Sequence, residues 1–130
     1  MKLPIKWKTI SVTTAALSIF AVGVLLGQSY KPESVIHVVT VKWNADATDA
    51  QISEALKGVE TIAQKYDGVS RVWTRSIKAQ GQESGVTAAF VMEFESEKAL
   101  ADYADSDAQK EWYEVYIPAR ELSRTFDITN

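Results

Sequence analysis

The sequence predicts an α+β domain with four strands and two main helices in the order β-α-β-β-α-β, preceded by an N-terminal hydrophobic helix. Three observations carry this. Val35–Trp43 is rich in β-branched residues and apolar on both faces, the signature of a strand wanted on both sides. A single stretch after Thr48 repeats its apolar residues at helical spacing. An alternating run and a second run apolar on both faces are separated by a polar, glycine-containing turn, which reads as an antiparallel hairpin.

The chain has 130 residues, no cysteine, one histidine and a net charge of -3. One domain fits this length. The mild acidity argues against a nucleic-acid binder, which needs a basic stripe against phosphates. Without cysteine there is no disulfide, iron–sulfur cluster, thiolate zinc site or cysteine nucleophile. One histidine per chain also excludes a histidine-rich metal site. No cofactor is expected.

Lys2, Lys6 and Lys8 precede Ile10–Gly27, which carries no charge. A basic head and an apolar run read as a signal peptide or a signal-anchor. The run is about 18 residues, near the lower limit for crossing a bilayer. The lysines place the N-terminus on the cytoplasmic side. The expectation is a single-pass cell-membrane protein with its domain on the non-cytoplasmic side, or a secreted or periplasmic one if Gly27-Gln28-Ser29 is cleaved. The length of the run favours the anchor. Residues 1–28 are therefore assigned to the signal or anchor, 29–34 to a linker broken by Pro32, and 35–130 to the domain.

Each element of the domain has its own warrant. Val35–Trp43 forms the first strand. Thr48-x-x-Gln51 is a capping box opening a helix from Asp49 to about Tyr66. Ile52, Ala55, Leu56, Val59, Ile62, Ala63 and Tyr66 form its apolar stripe, and Gly68 offers a left-handed terminus. Val69–Lys78 and Val86–Phe94 are the hairpin strands. Ser96 caps a short helix over Glu97–Ala104. Ser106-x-x-Gln109 is a second capping box, starting helical turns that end near Pro118. Ser123–Thr129 is the last strand. The order is that of the ferredoxin-like sandwich, with the helices on one face of the sheet.

Helices on one face leave the other bare. The first strand carries His37, Val39 and Val41 on one side and Ile36 and Val38 on the other. In the third strand Ala89 and Val91 oppose the Phe90 row. An apolar face left in water invites association, so a homodimer packed sheet against sheet is expected. Lys42 and Thr40 fall at the rim of that contact.

His37-Val-Val-Thr-Val-Lys42, Asp67-Gly-Val69, Phe94-Glu-Ser-Glu-x-Ala-Leu-x-x-Tyr103 and Phe126-Asp-Ile128 together resemble the stress-responsive dimeric α/β-barrel family. The resemblance covers Val35 to Ile128. It implies a dimer in which two ferredoxin-like sheets make one barrel. One plant branch of the family resembles a polyketide cyclase that uses a tyrosine on the second helix and a histidine six residues later. The tyrosine matches Tyr103 and the family's strand-one histidine matches His37. The later histidine falls at Gln109, which cannot serve as a general base, and the stretch reads Ser106-Asp107-Ala108-Gln109. This departure argues against cyclase activity.

The candidate site is the space between helices and sheet. His37 is the acid–base candidate, since histidine titrates near neutrality. Tyr103 is the hydrogen-bond donor. Val39, Val41, Leu56, Val59, Phe90, Gln109 and Trp112 are expected to line the space. The alternative is a core histidine hydrogen-bonded to Tyr103 or backbone, among residues that merely fill the interior. Arg71, Trp73 and Arg75 read as a solvated strand edge. The leading functional expectation is an envelope module that binds a small apolar or aromatic molecule without strong catalysis. The rival is a cofactor-free enzyme, a cyclase-like lyase or quinol-type monooxygenase. It requires a hollow of roughly 300 Å³ or more that both His37 and Tyr103 line.

Overall fold

The computed structural model describes residues 32–78 and 85–130. The expected N-terminal helix and membrane run lie outside the described residues. Among the described residues, no helix is long and apolar enough to cross a membrane. Residues Glu33–Thr129 form one compact unit.

Its elements are β1 (Val35–Trp43), α1 (Asp49–Lys65), β2 (Val69–Trp73), β3 (Ala88–Phe94), α2 (Glu97–Tyr103), α3 (Asp107–Ala119) and β4 (Arg120–Ile128). The sheet order is β2-β3-β1-β4 and each neighbouring pair is antiparallel. This is the ferredoxin-like arrangement with the second helical segment split in two. β1 is central, and its β-branched residues meet partners on both sides.

The capping box of α1 is complete. Gln51 N–H donates to Thr48 Oγ1 at 3.3 Å, and Thr48 N–H donates to Gln51 Oε1 at 2.9 Å. Ala55, Val59 and Ile62 bury the apolar stripe. Gly58 sits mid-helix because the Trp112 indole lies against it; a Cβ there would collide with the ring. The indole Nε1–H donates to Ala55 O at 2.8 Å.

Gly68 departs from expectation. It has no left-handed backbone, and α1 ends at Tyr66 in an extended conformation. The glycine serves space instead, because a Cβ would meet the Tyr66 ring and the Ala99 methyl. The left-handed residue among the described non-glycines is Asp105, at φ 64°, between α2 and α3. Aspartate tolerates that region better than most residues. The second capping box is also altered. Ser106 Oγ accepts from Gln109 N–H at 3.2 Å, but Gln109 Oε1 takes the Asp105 N–H at 2.8 Å.

Three strand boundaries move, each for a pairing reason. β2 stops at Trp73, where its ladder with β3 ends at Val91. β3 starts at Ala88, opposite Val41 of β1. β4 starts at Arg120, three residues early, because Arg120 pairs with Trp43 across an irregularity in the ladder. Helix α3 runs through Pro118 to Ala119. Its last carbonyls are taken up by Asn44: Nδ2 donates to Pro118 O at 2.7 Å and N–H to Ala119 O at 2.9 Å.

The core lies between the helices and one sheet face. Val35, Val39, Val41, Phe90, Met92 and Phe94 meet Val59, Ile62, Tyr103, Trp112 and Tyr116 there. The opposite face holds Ile36, Val38, Val91, Trp73, Leu122, Phe126 and Ile128. Phe126 and Ile128 are 53% and 56% exposed.

Candidate ligand-binding site

Sheet register builds one wall of the site. His37 stands opposite Asp127, Val39 opposite Thr125 and Val41 opposite Ser123. These pairs share the face that the helices cover. Asp127 Oδ1 lies 2.6 Å from His37 Nδ1. The His37 ring also meets Phe94 edge to face, with centroids 5.7 Å apart. The expected Tyr103 or backbone partner of His37 is thus replaced by Asp127. The acid sits on the last strand, at a position that only the register reveals. Carboxylate contact at one ring nitrogen leaves Nε2 for other partners.

The helices supply the other wall. Tyr103 ends α2 and is 1% exposed. Its ring packs on Phe94 and Tyr66 at centroid distances of 5.2 and 5.7 Å. Tyr116 of α3 stacks on Trp112 at 4.3 Å, nearly parallel. Arg120 follows α3 directly and places its guanidinium 5.1 Å from the Tyr116 ring centroid.

Between these walls lies a hollow of about 90 Å³. His37 and Val39 border it from β1, and Arg120, Ser123 and Thr125 from β4. Tyr103 closes it from α2, and Gln109, Trp112, Tyr113 and Tyr116 from α3. The structure therefore gathers His37, Tyr103, Val39, Gln109 and Trp112 around one space. Val41, Val59 and Phe90 lie in the packed core instead, beneath residues that fill the space between them and the hollow. Leu56 packs partly buried against that core and borders a separate surface groove beside Thr74 and Arg75. Tyr116, Arg120, Ser123 and Thr125 were missed. The capped helix reading stopped short of Arg120, and the strand reading began after it.

The polar atoms of the hollow are unusual. Tyr103 Oη, Tyr116 Oη and Arg120 Nε are buried and make no hydrogen bond in the protein. Burial pushes both phenols above their ordinary titration range. Gln109 approaches Tyr103, and Ser123 and Arg120 approach Tyr116, but these neighbours favour the phenolate less than burial disfavours it. Both tyrosines are therefore neutral hydrogen-bond donors at neutral pH. Among the described residues, no group of three or more His, Asp or Glu side chains could hold a metal ion. A larger groove of about 230 Å³ runs between α1 and α3. It opens to solvent beside Lys57, Lys65 and Glu111 and lacks such unpaired buried atoms.

Fold and hollow together define a class: a ferredoxin-like α+β domain with a small aromatic-walled site between helices and sheet. Residues 35–130 match the family model described as Stress responsive A/B Barrel Domain (Dabb), and the chain belongs to that family. A hydroxynitrile lyase from Passiflora edulis has a similar structure, with 18% identity and a TM-score of 0.65 over 75% of this chain and 93% of that one. A dimeric protein of unknown function and ferredoxin-like fold from Bacteroides fragilis gives 15% identity and a TM-score of 0.61, covering 78% of this chain and all of that one. SnoaB, a cofactor-independent oxygenase from Streptomyces nogalater, gives 8% and 0.58, covering 75% and 93%. At these identities the likeness is one of fold. No curated protein matches the sequence.

Proposed function

We propose that the chain is a homodimeric small-molecule-binding module of the cell envelope, without strong catalytic activity. The observation that carries the binding reading is the convergence of Tyr103 Oη, Tyr116 Oη and Arg120 Nε, all buried and unpaired, on one hollow. Buried polar groups in proteins are almost always paired. Each unpaired one costs about 1–3 kcal/mol. Three at one place mark where a partner from outside the chain belongs. The aromatic walls favour an apolar body and the three donors a hydrogen-bonding head, which adds Tyr116 and Arg120 to the single donor, Tyr103, expected from sequence for a small apolar or aromatic molecule. The hollow is well below the roughly 300 Å³ of an ordinary ligand pocket, so the molecule is compact. Gln109 in place of a second histidine removes one base.

The dimer reading is supported by the bare sheet face and by the dimeric description of the Bacteroides fragilis neighbour. Val38 stands between Val91 and Phe126 at the middle of that face. The envelope reading rests on the lysine head and apolar run of residues 1–27.

Native mass spectrometry of the full-length chain, solubilised in detergent from its own cells, tests both readings. A dimer carrying a small retained molecule is expected. Val38→Asp places a charge in the contact, and a folded monomer is the expected product. A wild-type chain that is monomeric at micromolar concentration refutes the dimer; a dimer that never retains a small molecule refutes the binding role.

The His37–Asp127 contact favours one second reading, a cofactor-free enzyme, against which stands the hollow of about 90 Å³, well short of the roughly 300 Å³ expected for it. A carboxylate that orients a histidine leaves Nε2 as a general base, with Tyr103 as donor. Recovery of a chemically altered molecule after incubation with the wild-type chain, and of the unaltered one with His37→Gln, would select it.

A further inference from the structure

We propose that Arg120 anchors an oxyanion, so that the hollow takes a compact organic monoanion with a carboxylate head. This rests on the small-molecule reading above and assigns its ligand class. Arg120 is a half-buried cation without a carboxylate partner among the described residues, since none of their ion pairs includes it. Asp127, on the same sheet face, is engaged by His37. One guanidinium nitrogen, Nη1, donates to Ser123 Oγ. Nε is buried without an acceptor. An arginine cannot shed its proton, and a buried N–H without an acceptor is unfavourable.

The neighbouring unpaired hydroxyls can also donate. The Tyr103 and Tyr116 hydroxyls are neutral, buried and unpaired, so each brings a donor. A fixed positive charge and three donors thus surround about 90 Å³. What satisfies them is a group with several acceptors and a negative charge. A carboxylate has two oxygens with about four lone-pair sites, and its charge-assisted bonds to arginine are strong. The Trp112 and Tyr113 side of the hollow is aromatic and suits a short apolar body rather than a bare inorganic ion.

The test is a ligand-observed NMR titration of the full-length chain in detergent with propionate, its uncharged isostere propionamide, and inorganic phosphate. Propionate is expected to bind at least about tenfold more tightly than propionamide, the scale of one hydrogen bond to a charged group. Arg120→Gln should abolish that preference and Arg120→Lys should keep part of it. The comparison on the unaltered chain stands even if a variant fails to fold. Equal binding of propionate and propionamide overturns the anchor and leaves the small-molecule reading intact. Phosphate binding as tightly as propionate overturns the carboxylate assignment. Failure of all three to bind at millimolar concentration overturns the anchor, whereas the retained molecule seen by native mass spectrometry decides the binding role by itself.

Discussion

The two faces of one sheet solve the same problem differently. On the helix face, Val39, Val41, Phe90 and Met92 are sealed by α1 and α3. On the bare face, Ile36, Val38, Val91 and Phe126 carry a comparable apolar row that no helix among the described residues covers. The bare face is also interrupted by charge. Glu93 is buried there, held by Arg71 and by Ser34 Oγ at 2.7 Å. The covered face excludes charge from its centre and carries Thr125, Ser123 and Arg120 along its β4 edge, around the hollow. A sheet face meant to be filled by its own helices can be wholly apolar. The bare face carries charge at its margin, where Glu93 is paired with Arg71 on the same face.

The largest effect that sharpens this comparison is expected from Phe90→Ala. Phe90 is 1% exposed and meets Trp112 and Tyr116 edge to face at 5.6 and 5.8 Å. Truncation leaves a cavity that these rings cannot fill. The expected loss is about 3–5 kcal/mol, read as a lower denaturant midpoint. A loss below about 1 kcal/mol would mean that the end of the layer next to the hollow is not packed as the geometry has it.

A smaller effect belongs to the bare face and depends on pH. Arg71 bonds the Glu93 carboxylate and, ahead of the opposing effect of burial, holds its pKa below the ordinary 4.5, with Ser34 adding to the lowering. A carboxyl depressed in the folded state stabilises it above the unfolded pKa, and this is lost as pH falls through the folded value. Stability should therefore fall below about pH 4.5 more steeply in the wild type than in Glu93→Gln. Chemical denaturation at a series of acidic pH values checks the slope. Equal slopes would show that the Arg71 contact does not persist in solution.

The fold was legible because its signals are periodic. The two-faced apolar runs of β1 and β3, the stripe of α1 and the Thr48 cap each specify local geometry from residues close in sequence. The candidate site was only half legible. His37 and Tyr103 stood out as a lone histidine and as a match to a family position. Asp127 and Arg120 did not, because each becomes part of the site through the β1–β4 register, which joins His37 to Asp127 and Trp43 to Arg120 across most of the domain's length. Arg120 was hidden further by Pro118, which ordinarily marks a helix end; here the helix continues one residue beyond it because Asn44 takes the terminal carbonyls. Gly68 misled in the opposite way. Its position after α1 matched a left-handed terminus, while the actual constraint is the Tyr66 ring together with Ala99, which is far away in sequence.

The smallest expected effect is the most discriminating. Tyr103→Phe keeps the ring contacts with Phe94 and Tyr66 and removes an oxygen that makes no hydrogen bond in the protein. A buried tyrosine whose hydroxyl is paired ordinarily loses about 1 kcal/mol on this change. Here the ligand-free domain should be unchanged, or more stable by up to about 1 kcal/mol, as read by thermal unfolding. The same substitution removes one of the three donors around the hollow, so binding should weaken while stability does not. A clear loss of stability without ligand would place the Tyr103 hydroxyl in a bond to Gln109, and the hollow would then be an ordinary end of the core. Stability preserved with binding weakened would instead separate the two ends of the covered face: one packed to hold the sheet, the other kept polar for a molecule from outside the chain.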